Sequence, residues 1–451
     1  MPTRTLNIAR RTFVALSALV LLVATPARAV EIQRVVSPGG IEAWLVEDHT
    51  LPIIALSFSM NGGAATDPVG KEGLANMVSG LLDEGAGDLD SQVFRRRLED
   101  RSISLSFSAS KDTFSGSLKT LTRNRDEAFD LFRMAMTEPR FDDEAVERIR
   151  AQILTGIAGS KNDPGEIAQR TFWSANFPNH PYGRRSVGEP ETVAAISQTD
   201  MMAFVRRRLA RGDMEIGIAG DISAAELAPL LDKTFGGLPE RAEPFTIEAV
   251  KPAALGEIIV VDQDVPQSTI VFGHRGLPRD DPDYYAAYVL NHVLGGGSFT
   301  SRLYQEVREK RGLAYSVYSY LLPLDHTALW LGGAATENSA VGQSIGVIRA
   351  EWARMRDTAI TQEQLNAARD NITGSFALRF SSTAAIAGML VAIQRQDLGI
   401  DYINERNKFF AAVSLDDVRR IAKKLLDPEA LTIVIVGKPE GVEPTKRPDS
   451  G

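Results

Sequence analysis

The sequence predicts an α+β protein in which one architecture is used twice, each copy a set of antiparallel-looking strands packed with helix pairs. Three observations predict it. First, landmarks recur in the same order at a nearly constant offset. Asp67-Pro68 and Asp281-Pro282 each precede a helical pattern, Thr155-Gly156 and Thr373-Gly374 close similar amphipathic helices, and Ser197 and Ser414 each stand where a helix is capped. The strands MEIGIAG and LTIVIVG end at Gly220 and Gly437, so that the four offsets are 214, 218, 217 and 217 residues. Second, strand-like and helix-like periods alternate within each copy. Third, a stretch with Pro239, Pro244 and Pro252 and no periodicity lies between the copies.

Taken in order, residues 1–29 stand apart. Arg4, Arg10 and Arg11 precede an apolar run over 13–24, and Ala27-Arg28-Ala29 offers a small-x-small cleavage site, which is the pattern of a secretory signal peptide. General secretion is the expectation, with Arg10-Arg11-Thr12-Phe13 leaving a twin-arginine route open, and the expected compartment is the periplasm. Removing four arginines and no acids takes the net charge from −8 to −12, a poor balance for nucleic-acid binding. With no cysteine, disulfides and thiolate metal sites are excluded. No later run is apolar and long enough for a membrane-spanning helix.

The first copy, over 30–235, opens with strands at 41–47 and 52–60, a turn at Asn61-Gly62-Gly63 and a helix over 71–82. A helix at 91–100, strands at 102–109 and 113–120, and helices over 124–136 and 142–159 follow. Residues 236–256 read as a linker. The second copy, over 257–440, repeats the scheme with strands at 257–261 and 268–273 and a helix over 284–294; residues 441–451 read as a flexible tail.

The richest stretch is GGGSFTSRLYQEVREKRGLAYSVYSY, from Gly295 to Tyr320. Gly295, Gly296 and Gly297 admit a sharp turn or a close approach of another chain. Ser298 or Thr300 is placed to cap a short helix that carries the pairs Arg302–Glu306 and Glu306–Lys310 four residues apart. Gly312 marks its C-terminus, and a strand follows with Tyr315 expected on the same side as Val317. Arg308 in the last turn and Tyr315 beyond the reversal are expected on one rim. The glycine spacing fits neither the dinucleotide nor the phosphate-loop pattern.

This stretch resembles the C-terminal-half signature of the pitrilysin/insulinase metallopeptidases, which include the mitochondrial processing peptidases. The resemblance implies two α/β-roll halves forming half of a clamshell. It also implies that an arginine and a tyrosine, here Arg308 and Tyr315, reach substrate near a zinc ion held elsewhere. The Gly295–Gly297 run and Ser298 are either a tight helix entry or a path for an extended substrate. Active members carry H-x-x-E-H on the helix after the first turn. The matching helix here, KEGLANMVSGLLDEG, has Asn76 and Gly80 at the histidine positions and Ser79 at the glutamate. The third ligand falls at Thr155 or Gly156 in ERIRAQILTGI. Neutral oxygen groups and a glycine suit zinc badly. His49, His180, His274, His292 and His326 are scattered, without metal-ligand spacing.

The expected function is therefore the non-catalytic, substrate-binding subunit of a periplasmic heterodimeric zinc peptidase. In this reading zinc sits in a homologous partner, Arg308 and Tyr315 complete the partner's site, and unstructured peptides are bound. The alternative is a catalytically inert peptide-binding or scaffold protein.

Overall fold

The computed structural model describes residues 31–358 and 360–446; the signal peptide expected at 1–29 lies outside them. Two sheets organise the chain. The first runs in the order β1 (Gln33–Val36), β2 (Glu42–Glu47), β6 (Met214–Gly220), β3 (Ile53–Asn61), β5 (Thr113–Leu121), β4 (Ser104–Ala109). The second runs β7 (Ile258–Asp262), β11 (Thr432–Gly437), β8 (Gln267–Arg275), β10 (Ala328–Glu337), β9 (Ala314–Pro323). Without β1, which the sequence reading did not anticipate, the two orders coincide strand for strand. The pairing directions coincide as well: β2 with β6 and β7 with β11 are parallel, and the remaining pairs of both sheets are antiparallel. The protein is thus a duplicated α+β fold.

The repeated landmarks have repeated physical jobs. Gly220 and Gly437 end the central strands β6 and β11 with φ of +126° and +149°, a conformation that only glycine adopts at no steric cost. Ser197 and Ser414 each form a reciprocal capping box, with Asp200 and Asp417 respectively. The helix expected over 71–82 is shorter, Leu74–Ser79, because Gly73 at φ +97° starts it late and Gly80 ends it.

Each sheet is covered on one face by helices of its own copy, around Phe58, Phe132 and Phe235 in the first and Phe272, Trp330 and Trp352 in the second. The other face is covered by a helix from the opposite copy. Pro164–Asn176 lays Ala168, Phe172 and Ala175 on Val271, Leu329, Val434 and Val436. Thr383–Arg395 lays Ile386, Ala387, Leu390 and Ile393 on Trp44, Val46, Ala55 and Ala219. Gly217 in β6 makes the second contact close: a Cβ there would overlap the Ala387 carbonyl oxygen. Burial on both faces explains why β11 carries the continuous apolar run Ile433–Val436 rather than an alternating pattern.

Residues 236–256 carry little regular structure but are tied to both copies. Glu243 N–H donates to the Arg207 carbonyl (2.8 Å), Val250 N–H to His326 (2.8 Å) and Ala253 N–H to Asn176 (2.9 Å). At the far end, Thr445 N–H donates to the Ile258 carbonyl (2.9 Å).

Two outcomes are expected. Gly217→Ala should lower stability by about 1–3 kcal/mol in denaturant unfolding, because the helix seated on β6 cannot yield its carbonyl. The buried His274 accepts from Trp352 Nε1–H (2.9 Å) on Nε2, and its Nδ1–H donates to the Arg275 carbonyl (2.7 Å), so it is held neutral. Burial pulls its pKa down to about 4. Below about 6.5 the unfolded chain takes up a proton that the native chain refuses. Stability should fall between about pH 6.5 and 4, by up to ~3 kcal/mol, and His274→Gln should flatten that slope.

Candidate functional site

The loop that leads to the site begins where the Tyr284–Asn291 helix widens into a π-helical turn over His292–Gly296. None of Gly295, Gly296 and Gly297 has positive φ; the left-handed residue is Ser298, at +50°. The glycines serve proximity instead. A Cβ on Gly295 would overlap the Ser319 hydroxyl, and one on Gly296 would come within 2.6 Å of the Asn291 amide nitrogen. Ser319 Oγ–H donates to Asn291 Oδ1 (2.7 Å), which fixes β9 beneath the loop. Gly295 is buried, while Gly296 and Ser298 are exposed and Gly297 half-buried.

The segment after the loop departs from the expected α-helix: Tyr304–Glu309 is π-helical, a form that recurs at functional sites. Neither Ser298 nor Thr300 caps it. Ser301, fully buried, accepts from Tyr304 N–H (3.4 Å), while Thr300 Oγ1–H donates back to Gly297 (2.9 Å). Arg302 donates to Gln364 (2.9 Å), and Glu306 holds both Lys310 and Arg311 at 2.6 Å. Gly312, at φ +63°, ends the segment in a left-handed cap: Gly312 N–H donates to the Arg308 carbonyl (2.8 Å), and Leu313 N–H reaches back to Val307 (2.9 Å).

β9 then starts with a bulge. Ala314 pairs with Thr336 and Ser316 with Ala335, so Tyr315 is the extra residue. The sequence reading put Tyr315 on the side of Val317; instead Val317 is buried and Tyr315 is 77% exposed. Bulges re-aim side chains in this way. The turn and the bulge together bring the Arg308 guanidinium 5.0 Å from the Tyr315 ring centroid, and Tyr304 flanks it at 4.8 Å. Tyr304 was not singled out from sequence, although its spacing four before Arg308 on a helical turn was a usable signal. Stacking of this kind restrains the half-buried Arg308 by about 0.5–1 kcal/mol per ring, and it leaves the guanidinium edge, whose Nε lies 3.9 Å from Glu309, uncovered by the rings. The rim thus offers a permanently charged multiple donor and a phenol O–H.

The helix with Asn76, Ser79 and Gly80 borders a cavity of about 400 Å³ with Arg95 and Arg148. Ser79 Oγ–H is turned back to the Asn76 carbonyl (2.8 Å). Across the cavity stand Ile149, Gln152 and Ile153 of the Asp143–Ser160 helix, while Thr155 and Gly156 are exposed beyond them. Among the described residues the carboxylates lining the cavity are Asp83, 3.6 Å from Arg95, and Glu84. Glu84, whose side chain is 2% exposed, takes a bidentate contact from Arg148 (2.7 and 3.2 Å) and another from Arg95 (3.3 Å). Burial opposes its charge, but hydrogen bonds from Arg148 and Ser91 outweigh it and hold its pKa low. A carboxamide, a turned-in hydroxyl, a glycine and an arginine-paired acid do not fit zinc. No group of three or more His, Cys, Asp or Glu is gathered for a metal among the described residues. Arg148→Ala should therefore cost about 1–3 kcal/mol in an unfolding titration, since it strips a buried carboxylate of its best partner.

Comparison with known proteins agrees with this geometry. Residues 43–190 match the family model "Insulinase (Peptidase family M16)", and residues 195–372 match "Peptidase M16 inactive domain". A Helicobacter pylori protein named non-peptidase homolog YmxG is 26% identical over 339 residues, 74% of this chain and 77% of that one. An uncharacterized zinc protease of Streptomyces coelicolor is 26% identical over 407 residues, 88% and 87% of the respective chains. The crystal structure of a peptidase M16 inactive domain from Pseudomonas fluorescens superposes with a TM-score of 0.84 at 27% identity, over 92% of this chain and all of that one.

Proposed function

Since the chain belongs to the M16 (pitrilysin/insulinase) peptidase family as a member without the zinc motif, we propose that it is the non-catalytic, substrate-binding subunit of a heterodimeric zinc peptidase. The observation that carries the reading is the asymmetry between the two sites. At the zinc position the chemistry is gone and the space is bordered by an internal Arg148–Glu84–Arg95 cluster. At the other, Arg308 and Tyr315 are held outward by a π-turn, a left-handed reversal at Gly312 and a bulge, none of which a purely structural strand entry requires.

In this reading the metal chemistry belongs to a zinc-bearing homologous partner, and this chain's residues bind and orient. Cleavage of a peptide builds negative charge on the scissile carbonyl oxygen. Arg308 N–H and Tyr315 O–H donate to that oxygen or to the adjoining peptide backbone. Tyr304 stacks on the guanidinium (4.8 Å), and Glu309 makes only a long ion pair with Arg308 Nε (3.9 Å). Unstructured peptides fit best, because an extended backbone can add to the free edge of β9. The signal-like pattern of residues 1–29 supports a periplasmic setting for this reading.

Mixing tests the proposal. The purified chain should cleave nothing by itself. With its zinc-bearing homologue, cleavage should appear, and Arg308→Ala or Tyr315→Phe should reduce kcat by about tenfold or more with the complex intact by size-exclusion chromatography. Equal cleavage with both residues replaced would favour the inert scaffold.

A further inference from the structure

A cavity of about 370 Å³ opens beside the glycine loop, between His292, Gly296–Ser298 and the helices Gln362–Gly374 and Tyr402–Ala412. It is the second copy's counterpart of the cavity at Asn76, since Tyr284–Asn291 corresponds to Leu74–Ser79 and Gln362–Gly374 to Asp143–Ser160. Both contain two arginines, but their charges are handled differently. In the first copy Arg95 and Arg148 share the buried Glu84. In the second, Arg406 is only 6% exposed and has no ion pair with a carboxylate among the described residues. Its guanidinium lies over Phe376 (4.1 Å) and Phe410 (4.4 Å) and donates to the Ile372 carbonyl (3.3 Å) and to Asn407 Oδ1 (3.5 Å). Burial pulls its pKa down, and the Arg379 charge acts in the same direction. Arg379, also lining the cavity, has no ion pair among the described residues. A buried cation without a counter-ion is costly, and a chain with 58 acids against 50 Lys and Arg does not lack carboxylates to supply one.

The mouth adds a second feature. Phe299 on its lining is 68% exposed and Leu378, next to Arg379, is 76% exposed. Phe299 packs edge-on against Tyr304 (5.1 Å), which flanks Arg308, so a string of aromatic contacts joins the cavity to the Arg308 rim.

We propose that this cavity is an anion subsite that receives a carboxylate of the bound peptide, with Arg406 at its floor, Arg379 at its mouth, and Phe299 and Leu378 taking a neighbouring apolar side chain. The proposal rests on the reading that the chain binds peptides. Two sources of the group share this chemistry, an acidic side chain and the chain terminus.

Fluorescence anisotropy with three labelled decapeptides tests it: one with a single Phe-Glu pair and a free C-terminus, one with glutamine for the glutamate, and one amidated. Removing the recognised carboxylate should weaken binding to the purified chain by about tenfold or more, and which removal does so identifies its source. Arg379→Ala, an exposed change, should erase that preference and leave the uncharged peptide's affinity intact. Because Arg406→Ala would also remove packing between Phe376 and Phe410, Arg379→Glu is the second variant, expected to reverse the preference. Equal affinity of the wild-type chain for all three peptides overturns the subsite and leaves peptide binding standing. No binding of any of them overturns both.

Discussion

The structure depends on an exchange of helices between its two copies. Pro164–Asn176 closes the open face of the second sheet and Thr383–Arg395 closes that of the first. Without the exchange each sheet would present water with a face of Trp44, Val46 and Ala219, or of Val434, Val436 and Leu329. The hydrophobic effect makes such faces untenable on a lone domain. The contact also carries polar detail: Gln394 Nε2–H donates to the Ile216 carbonyl (3.0 Å), and Asn176 Oδ1 accepts from Thr432 Oγ1–H (3.3 Å). Equivalent hairpin tips meet as well, where Asp325 N–H donates to Asp112 (3.2 Å), and beside them His326 N–H donates to Tyr182 of the Pro181–Gly183 turn (3.1 Å). The two copies therefore hold one another in register, and a residue on one is fixed relative to the other.

That fixed frame gives meaning to the divergence between the copies. The first has lost metal donors and closed its charges on themselves around Glu84. The second has kept its donors facing outward, and its loop is built to keep them there. Gly295 lets the loop sit directly on β9, Ser301 starts the π-turn, and the bulge spends one residue of β9 to aim Tyr315. Backbone irregularity at this density, with Ser298 in the left-handed region, costs free energy that a regular helix and strand would not.

Much of the fold was legible because duplication leaves marks that local chemistry enforces. A strand that must end in a left-handed turn keeps its glycine, and a helix that must start keeps its capping serine, so Gly220 and Gly437 or Ser197 and Ser414 align without any structure. The loss of the zinc motif was equally legible, since Gly80 cannot ligate anything. The proximity of Arg308 and Tyr315 could be anticipated from Gly312, although not the helix type or the face of the strand. Hydrophobic periodicity cannot distinguish a π-turn from an α-turn over six residues, and a bulge depends on the partner strand's register.

The sequence by itself determined the duplicated α+β architecture, the family, and the absence of zinc-binding side chains, because each is written in residue types at short range. Only the tertiary structure decided which copy each helix covers, that Tyr304 completes the aromatic setting of Arg308, that Glu84 pairs with both arginines in one cavity, and that Arg406 in the other has no ion pair among the described residues. Those are contacts between residues tens to hundreds of positions apart or across an irregular turn, fixed by packing and register rather than by local preference.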